Sequence, residues 1–156
     1  MARQADADEI AQGLWFGSCP RSPEDILALR QLGITGLVSL QTDGDLGSIG
    51  LSWQLLWKFL MQQGITPNRV PIEDFNERAL RNGLEAAVSA VHDFRTAGHV
   101  TYVHCTAGIN RAPTVAIAYL IAHGGLDLEE AWARAQEVRP QVAPLRAPLQ
   151  AWLDSR

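Results

Sequence analysis

The chain has 156 residues, 47% of them apolar and 19% charged, with a formal net charge of −4. That length holds one domain with a sizeable core, and the acidic balance argues against broad contact with nucleic acid or an acidic membrane surface. Two cysteines, Cys19 and Cys105, make neither a disulfide framework nor a structural zinc site, and neither a secretory leader nor a membrane-length apolar run is expected.

A single domain over 1–156 follows, with 1–9 flexible, in the reducing cytoplasm that a free thiol needs. Leu14-Trp15-Phe16-Gly17 reads as a short strand closed by Gly17 and Pro20. Ser22 caps a helix that starts at Pro23, with Glu24 and Asp25 in its first turn. Ile26, Leu29 and Leu32 sit at core spacing in it, and Gly33 stops it. Leu37–Leu40 is the next strand, and Gln41–Gly50, rich in Gly and Asp, reads as a loop. Leu51–Gln63 is a helix with apolar residues on more than one face; core packing is the expectation, with an exposed aromatic as a substrate platform the alternative. Arg69-Val70-Pro71-Ile72 reads as a third strand, followed by a loop with Glu73, Asp74, Phe75 and Asn76. A long helix from Glu77 to Ala97 turns Leu80, Leu84, Val88, Val91 and Phe94 inward. Further helices run from Leu126 to Val138 and from Leu145 to Leu153. Strands alternating with helices imply an α/β layer fold with a mainly parallel sheet, whose ligands bind beyond the carboxyl ends of the strands.

Between Gly98 and Gly124 lies the stretch with the most chemistry. Val100–Val103 is β-branched and aromatic, a buried strand, and Ala112–Ile121 is an apolar helix with Pro113 in its first turn. The loop joining them is His104-Cys105-Thr106-Ala107-Gly108-Ile109-Asn110-Arg111. The free N–H groups of the helix start carry a partial positive charge. A loop of small residues lets its amides, Thr106 to Arg111, converge on one anion, with Gly108 free to adopt an unusual backbone conformation. Arg111 adds a planar fork suited to two phosphate oxygens. The same field favours a thiolate, so Cys105 is a candidate nucleophile beneath a bound phosphate. Attack on a phosphate ester calls for a general acid, and the loop after the third strand offers Asp74, with Glu73 as its rival.

The pattern His-Cys-x5-Arg resembles the signature of the cysteine-dependent protein tyrosine and dual-specificity phosphatases. The resemblance implies a single-domain α/β fold of that type and phosphomonoester hydrolysis through a phosphocysteine. It favours Asp74, thirty-one residues before Cys105, as the acid that returns as the base. It also implies that His104 supports the loop by hydrogen bonding, that Thr106, Ala107, Gly108, Ile109, Asn110 and Phe75 contact substrate, and that no metal or cofactor takes part. Ala112 stands where most members carry Ser or Thr, whose hydroxyl helps the thiolate leave, and Thr114 or a water would substitute.

The run His-Cys-Thr-Ala-Gly-x-x-Arg-Ala-Pro further resembles the plant starch-excess (glucan) phosphatases. Phe16–Arg21, Pro23-Glu24-Asp25, Gln41-Thr42 and Glu73-Asp74-Phe75 extend that likeness, and laforin is similar over the first of these. The substrate is then a phosphorylated protein, with phosphotyrosine and aryl phosphates the readiest to measure, or a phosphoglucan. A phospho-binding pseudophosphatase, suggested by Ala112, is a third reading. A monomer that engages neither nucleic acid nor membrane is expected. Cys19 is a possible redox partner of Cys105 through a reversible disulfide, or else a packed structural thiol.

Overall fold

The computed structural model describes residues 4–156. Five strands form one sheet in the order β1-β2-β5-β3-β4. They are β1 (Ala7–Ala11), β2 (Leu14–Gly17), β3 (Gly36–Ser39), β4 (Thr66–Arg69) and β5 (Thr101–His104). Only β1 runs antiparallel to its neighbour; the other pairings are parallel, with Phe16 beside Val103 and Val103 beside Val38. Successive side chains of a strand face opposite ways. Phe16, Val38 and Val103 therefore join one core while Trp15, Leu37 and Tyr102 join the other.

Helices α1 (Pro23–Gln31) and α3 (Trp53–Gln62) cover the second core with Ile26, Leu29, Leu56 and Leu60. Helices α4 (Glu77–Thr96), α5 (Arg111–His123), α6 (Leu128–Val138) and α7 (Arg146–Asp154) cover the first. Every residue of α5 from Arg111 to Leu120 is buried, the signature of a helix packed on all sides. Its start is thus fixed directly beyond the end of β5.

Several expectations are corrected. Residues 7–9, expected to belong to a flexible segment 1–9, lie in strand β1; residues 1–3 fall outside the described residues. The expected loop 41–50 contains a six-residue helix, α2 (Asp43–Ser48), closed by a capping box between Thr42 and Asp45 and anchored by fully buried Leu46. The third strand lies three residues earlier than expected, because β4 is an edge strand whose polar Thr66-Pro67-Asn68-Arg69 carries no apolar signal. Leu32 is exposed past the end of α1, and α3 leaves Leu55, Trp57 and Met61 partly exposed rather than packed in the core, Trp57 by 47%. Among the described residues, no helix is long and apolar enough to cross a membrane.

Candidate active site

Strand β5 ends at His104 and α5 begins at Arg111, so the six residues between them wrap the end of the helix. Cys105 is only 3% exposed, and its Sγ accepts the N–H of Ala112 at 3.5 Å. Asn110 caps the helix without a side-chain hydrogen bond, which leaves the first-turn amides to the loop. Gly108 has φ +71, and a Cβ there would lie 2.5 Å from the carbonyl carbon of Gly17 and 2.8 Å from Arg139. The glycine is thus required both by conformation and by the close approach of β2.

Arg111 is 2% exposed. Its Nη1 donates to Asp45 Oδ2 and to the Ile72 carbonyl, both at 2.7 Å, and lies 3.5 Å from the Leu40 carbonyl. Nη2 reaches Thr106 Oγ1 at 3.2 Å and Asp74 Oδ2 at 3.3 Å. Nε is buried and finds no partner among the described residues. One edge of the guanidinium is therefore saturated by the fold, while the other keeps a buried donor for an incoming anion. Burial works against ionisation of Asp45, but its bonds to Arg111 and Thr42 outweigh that and hold the carboxyl below its ordinary range.

Asp74 sits in a turn, Oδ1 accepting the N–H of Phe75 at 3.1 Å, with its side chain 25% exposed. Phe75 adopts φ +55 and is 89% exposed. Asp74 and Phe75 line a cavity of about 150 Å³ together with Cys105, Ala107, Ile109 and Asn110. Six of the predicted site residues thus meet there, and Arg111 lies against Asp74. Thr106 instead turns its hydroxyl toward Gln41 and Arg111, and Gly108 packs on Gly17 and Arg139.

His104 is fully buried behind the loop, its Nδ1 2.9 Å from the Cys105 carbonyl. A carbonyl only accepts, so Nδ1 carries the proton. Burial is the main reason its pKa drops to about 4, with Arg111 adding to the effect, and the imidazole stays neutral. Thr114 donates to the Asn110 carbonyl at 2.7 Å and accepts the Leu145 N–H at 3.0 Å. Its hydroxyl is committed away from the sulfur, so it does not replace the one absent at Ala112. Cys19 lines a separate cavity of about 170 Å³ with Arg21, Asp25 and Tyr102. Its amide bonds the Thr106 carbonyl at 3.0 Å and its thiol the Pro20 carbonyl. Burial pushes that thiol up to about 12, which works against attack on an oxidised Cys105.

Two residues that sequence reasoning missed hold the site together. Arg139, 1% exposed, donates through Nε to the Gly108 carbonyl at 2.9 Å and through Nη2 to the Ala107 carbonyl at 3.1 Å. Its other bonds, 2.8 to 3.2 Å, go to Asp6 and Asp8 at the sheet edge. These bonds tie two loop carbonyls through Arg139 to the N-terminal edge of the sheet. The second is Asp45, which the Thr42-x-x-Asp45 spacing of a capping box would have marked.

The family model described as dual specificity phosphatase, catalytic domain, matches residues 14–153. Phosphoglucan phosphatase DSP4, amyloplastic, of Castanea sativa is 37% identical over 132 residues, which are 83% of this chain and 35% of that protein. Laforin of Mus musculus is 28% identical over 144 residues, 85% of this chain and 44% of that one. The chain thus spans well under half the length of these curated relatives. Among solved structures, Tk-PTP in the active form superposes with a TM-score of 0.77 at 22% identity, covering 96% of this chain and 95% of that one.

Proposed function

The chain belongs to the dual-specificity phosphatase family, and from that premise we propose that it hydrolyses phosphomonoesters through a phosphocysteine on Cys105. The observation that carries this reading is the meeting of a sulfur, a helix-start N–H 3.5 Å from it and a buried guanidinium with an unpartnered Nε, beside a cavity that Asp74 also lines.

The phosphoryl oxygens engage the loop amides together with Nε and Nη2 of Arg111, displacing Asp74 Oδ2 from Nη2 and freeing it to face the leaving oxygen. The Cys105 thiolate attacks phosphorus; an S–P bond forms, the P–O ester bond breaks, and Asp74 gives its proton to the departing alkoxide. Water then attacks phosphorus, Asp74 takes its proton, and the S–P bond breaks to return thiolate and release inorganic phosphate. The Ala112 N–H stabilises the departing sulfur where most family members use a hydroxyl. Neutral His104 holds the Cys105 carbonyl and moves no proton.

Phosphotyrosyl and other aryl phosphates are the substrates we assign first, because Phe75 presents an aromatic face beside the acid at the cavity rim. A phosphoglucan is the second reading, favoured by the 37% identity to a protein named for that substrate. All of the groups invoked lie on one chain, so a monomer suffices, and a cytoplasmic setting would keep both thiols reduced. The test is turnover of p-nitrophenyl phosphate, present in the wild type and abolished in Cys105→Ser; a wild type that binds phosphate without turnover would instead support a phospho-binding role. Phosphate release from a phosphotyrosyl peptide, compared with release from amylopectin, then separates the two substrate classes.

A further inference from the structure

Helix α2 is an improbable helix. Its six residues, Asp43-Gly44-Asp45-Leu46-Gly47-Ser48, include two glycines, each roughly 1 kcal/mol worse than alanine, and isolated helices shorter than about 12 residues are marginal. Three things hold it: the buried side chain of Leu46, the capping box, and an ion pair. Two of them share one atom. Asp45 Oδ2 accepts the Thr42 N–H at 3.0 Å, closing the cap, and accepts Nη1 of Arg111 at 2.7 Å. The reciprocal half of the cap runs from the Asp45 N–H to Thr42 Oγ1 at 3.1 Å.

The bond matters to Arg111 because of which edge it occupies. Nη1 is turned toward Asp45 and the Ile72 and Leu40 carbonyls, leaving Nε and Nη2 on the edge that faces the loop. A planar fork binds two oxygens only when the correct edge is presented. Of the three acceptors on Nη1, Asp45 alone is charged. Asp43 gives α2 a second tether, to Arg69, which in turn bonds the Gln41 carbonyl, but Asp43 is 88% exposed and this pair is a weak one.

We propose that Asp45 is a positioning residue, whose charge selects the edge of Arg111 offered to the phosphoryl group independently of the helix cap that the same carboxylate closes. This rests on the phosphatase reading above. Asp45→Asn keeps the size and a cap acceptor while removing the charge; Thr42→Ala removes the cap hydroxyl and keeps the ion pair. The experiment measures the inhibition constant of inorganic phosphate and the kinetics with p-nitrophenyl phosphate for both variants, with thermal melts to check folding. Asp45→Asn raises the inhibition constant and KM together by roughly ten- to a hundredfold, the scale of one charge-assisted hydrogen bond. Thr42→Ala lowers the melting temperature yet leaves both constants within about twofold of wild type. Asp45→Glu, which retains charge and cap, recovers part of the affinity. The proposal is overturned if Asp45→Asn binds phosphate like wild type, or if Thr42→Ala weakens binding as much as Asp45→Asn does. A wild type without turnover would sink the phosphatase reading instead, and phosphate binding measured by calorimetry would still judge Asp45.

Discussion

Replacing Arg139 by Met removes the guanidinium that spans the loop and the N-terminal strand while leaving most of the apolar stem. Two loop carbonyls, of Ala107 and Gly108, then lose their charged donor in a buried setting, at about 1–3 kcal/mol each. Asp6 and Asp8 are 60% and 36% exposed and recover water, so their side of the network contributes little. The expected loss is about 3 kcal/mol of unfolding free energy, or about 6–12 °C in melting temperature for a domain of this size. With the carbonyls free to rotate, the loop amides lose their aim, and kcat/KM falls by about 10²-fold. The acid limb adds a signature. The bond to Arg139 chiefly holds the Asp6 carboxyl below its ordinary range, against the opposing effect of burial. A depressed carboxyl contributes stability that is full above its unfolded pKa of about 3.9 and is lost as pH falls through the folded value. The gap between wild type and Arg139→Met therefore narrows below about pH 4. Urea titrations from pH 3 to 7, with p-nitrophenyl phosphate kinetics at neutral pH, measure both. A loss under about 1 kcal/mol with unchanged kcat/KM would refute the clamp.

Neutral, buried His104, at about 4, leaves the unfolded imidazole to take up a proton first as pH falls below about 6.5. Stability therefore drops by about 2 kcal/mol between pH 7 and 5, and His104→Asn flattens that slope; parallel slopes would contradict the assignment. Gly108→Ala places a methyl 2.5 Å from the Gly17 carbonyl carbon at φ +71, costing more than about 2 kcal/mol together with turnover, and a melting curve like that of wild type would show the loop to be more yielding than described. Iodoacetamide at pH 8 alkylates Cys105 well before Cys19, whose thiol is pushed up to about 12 by burial; peptide mass mapping reads the order, and early labelling of Cys19 would reopen its redox role.

The cysteine and the guanidinium of the candidate site were legible because both lie within eight residues, in a pattern of strand, small-residue loop and apolar helix. The long helix α4 was legible because Leu80, Leu84, Val88 and Val91 repeat along one face. What escaped was held by distant partners. Strand β1 buries only Ile10, so its sequence reads as an unattached polar segment until Asp6 and Asp8 are seen against Arg139. Arg139 itself, after the last helical residue of α6, looks like an ordinary helix-end charge. Helix α2 defies its composition because the packing that buries Leu46 and the ion pair from Asp45 to Arg111 depend on partners distant in the chain, leaving only its capping box as a local signal. Nothing in the sequence shows that Thr114 is occupied by Asn110 and Leu145, a fact that follows only from the packing of α5 against the segment before α7.

The most direct measurement is rapid acid quench of the wild type during turnover of an aryl phosphate, followed by mass analysis of the peptide carrying Cys105. A single phosphoryl group on Cys105, absent in Cys105→Ser and accumulating when Asp74→Asn slows its hydrolysis, is the predicted result. Undiminished turnover by Cys105→Ser, or turnover during which that sulfur never carries phosphorus, would contradict it.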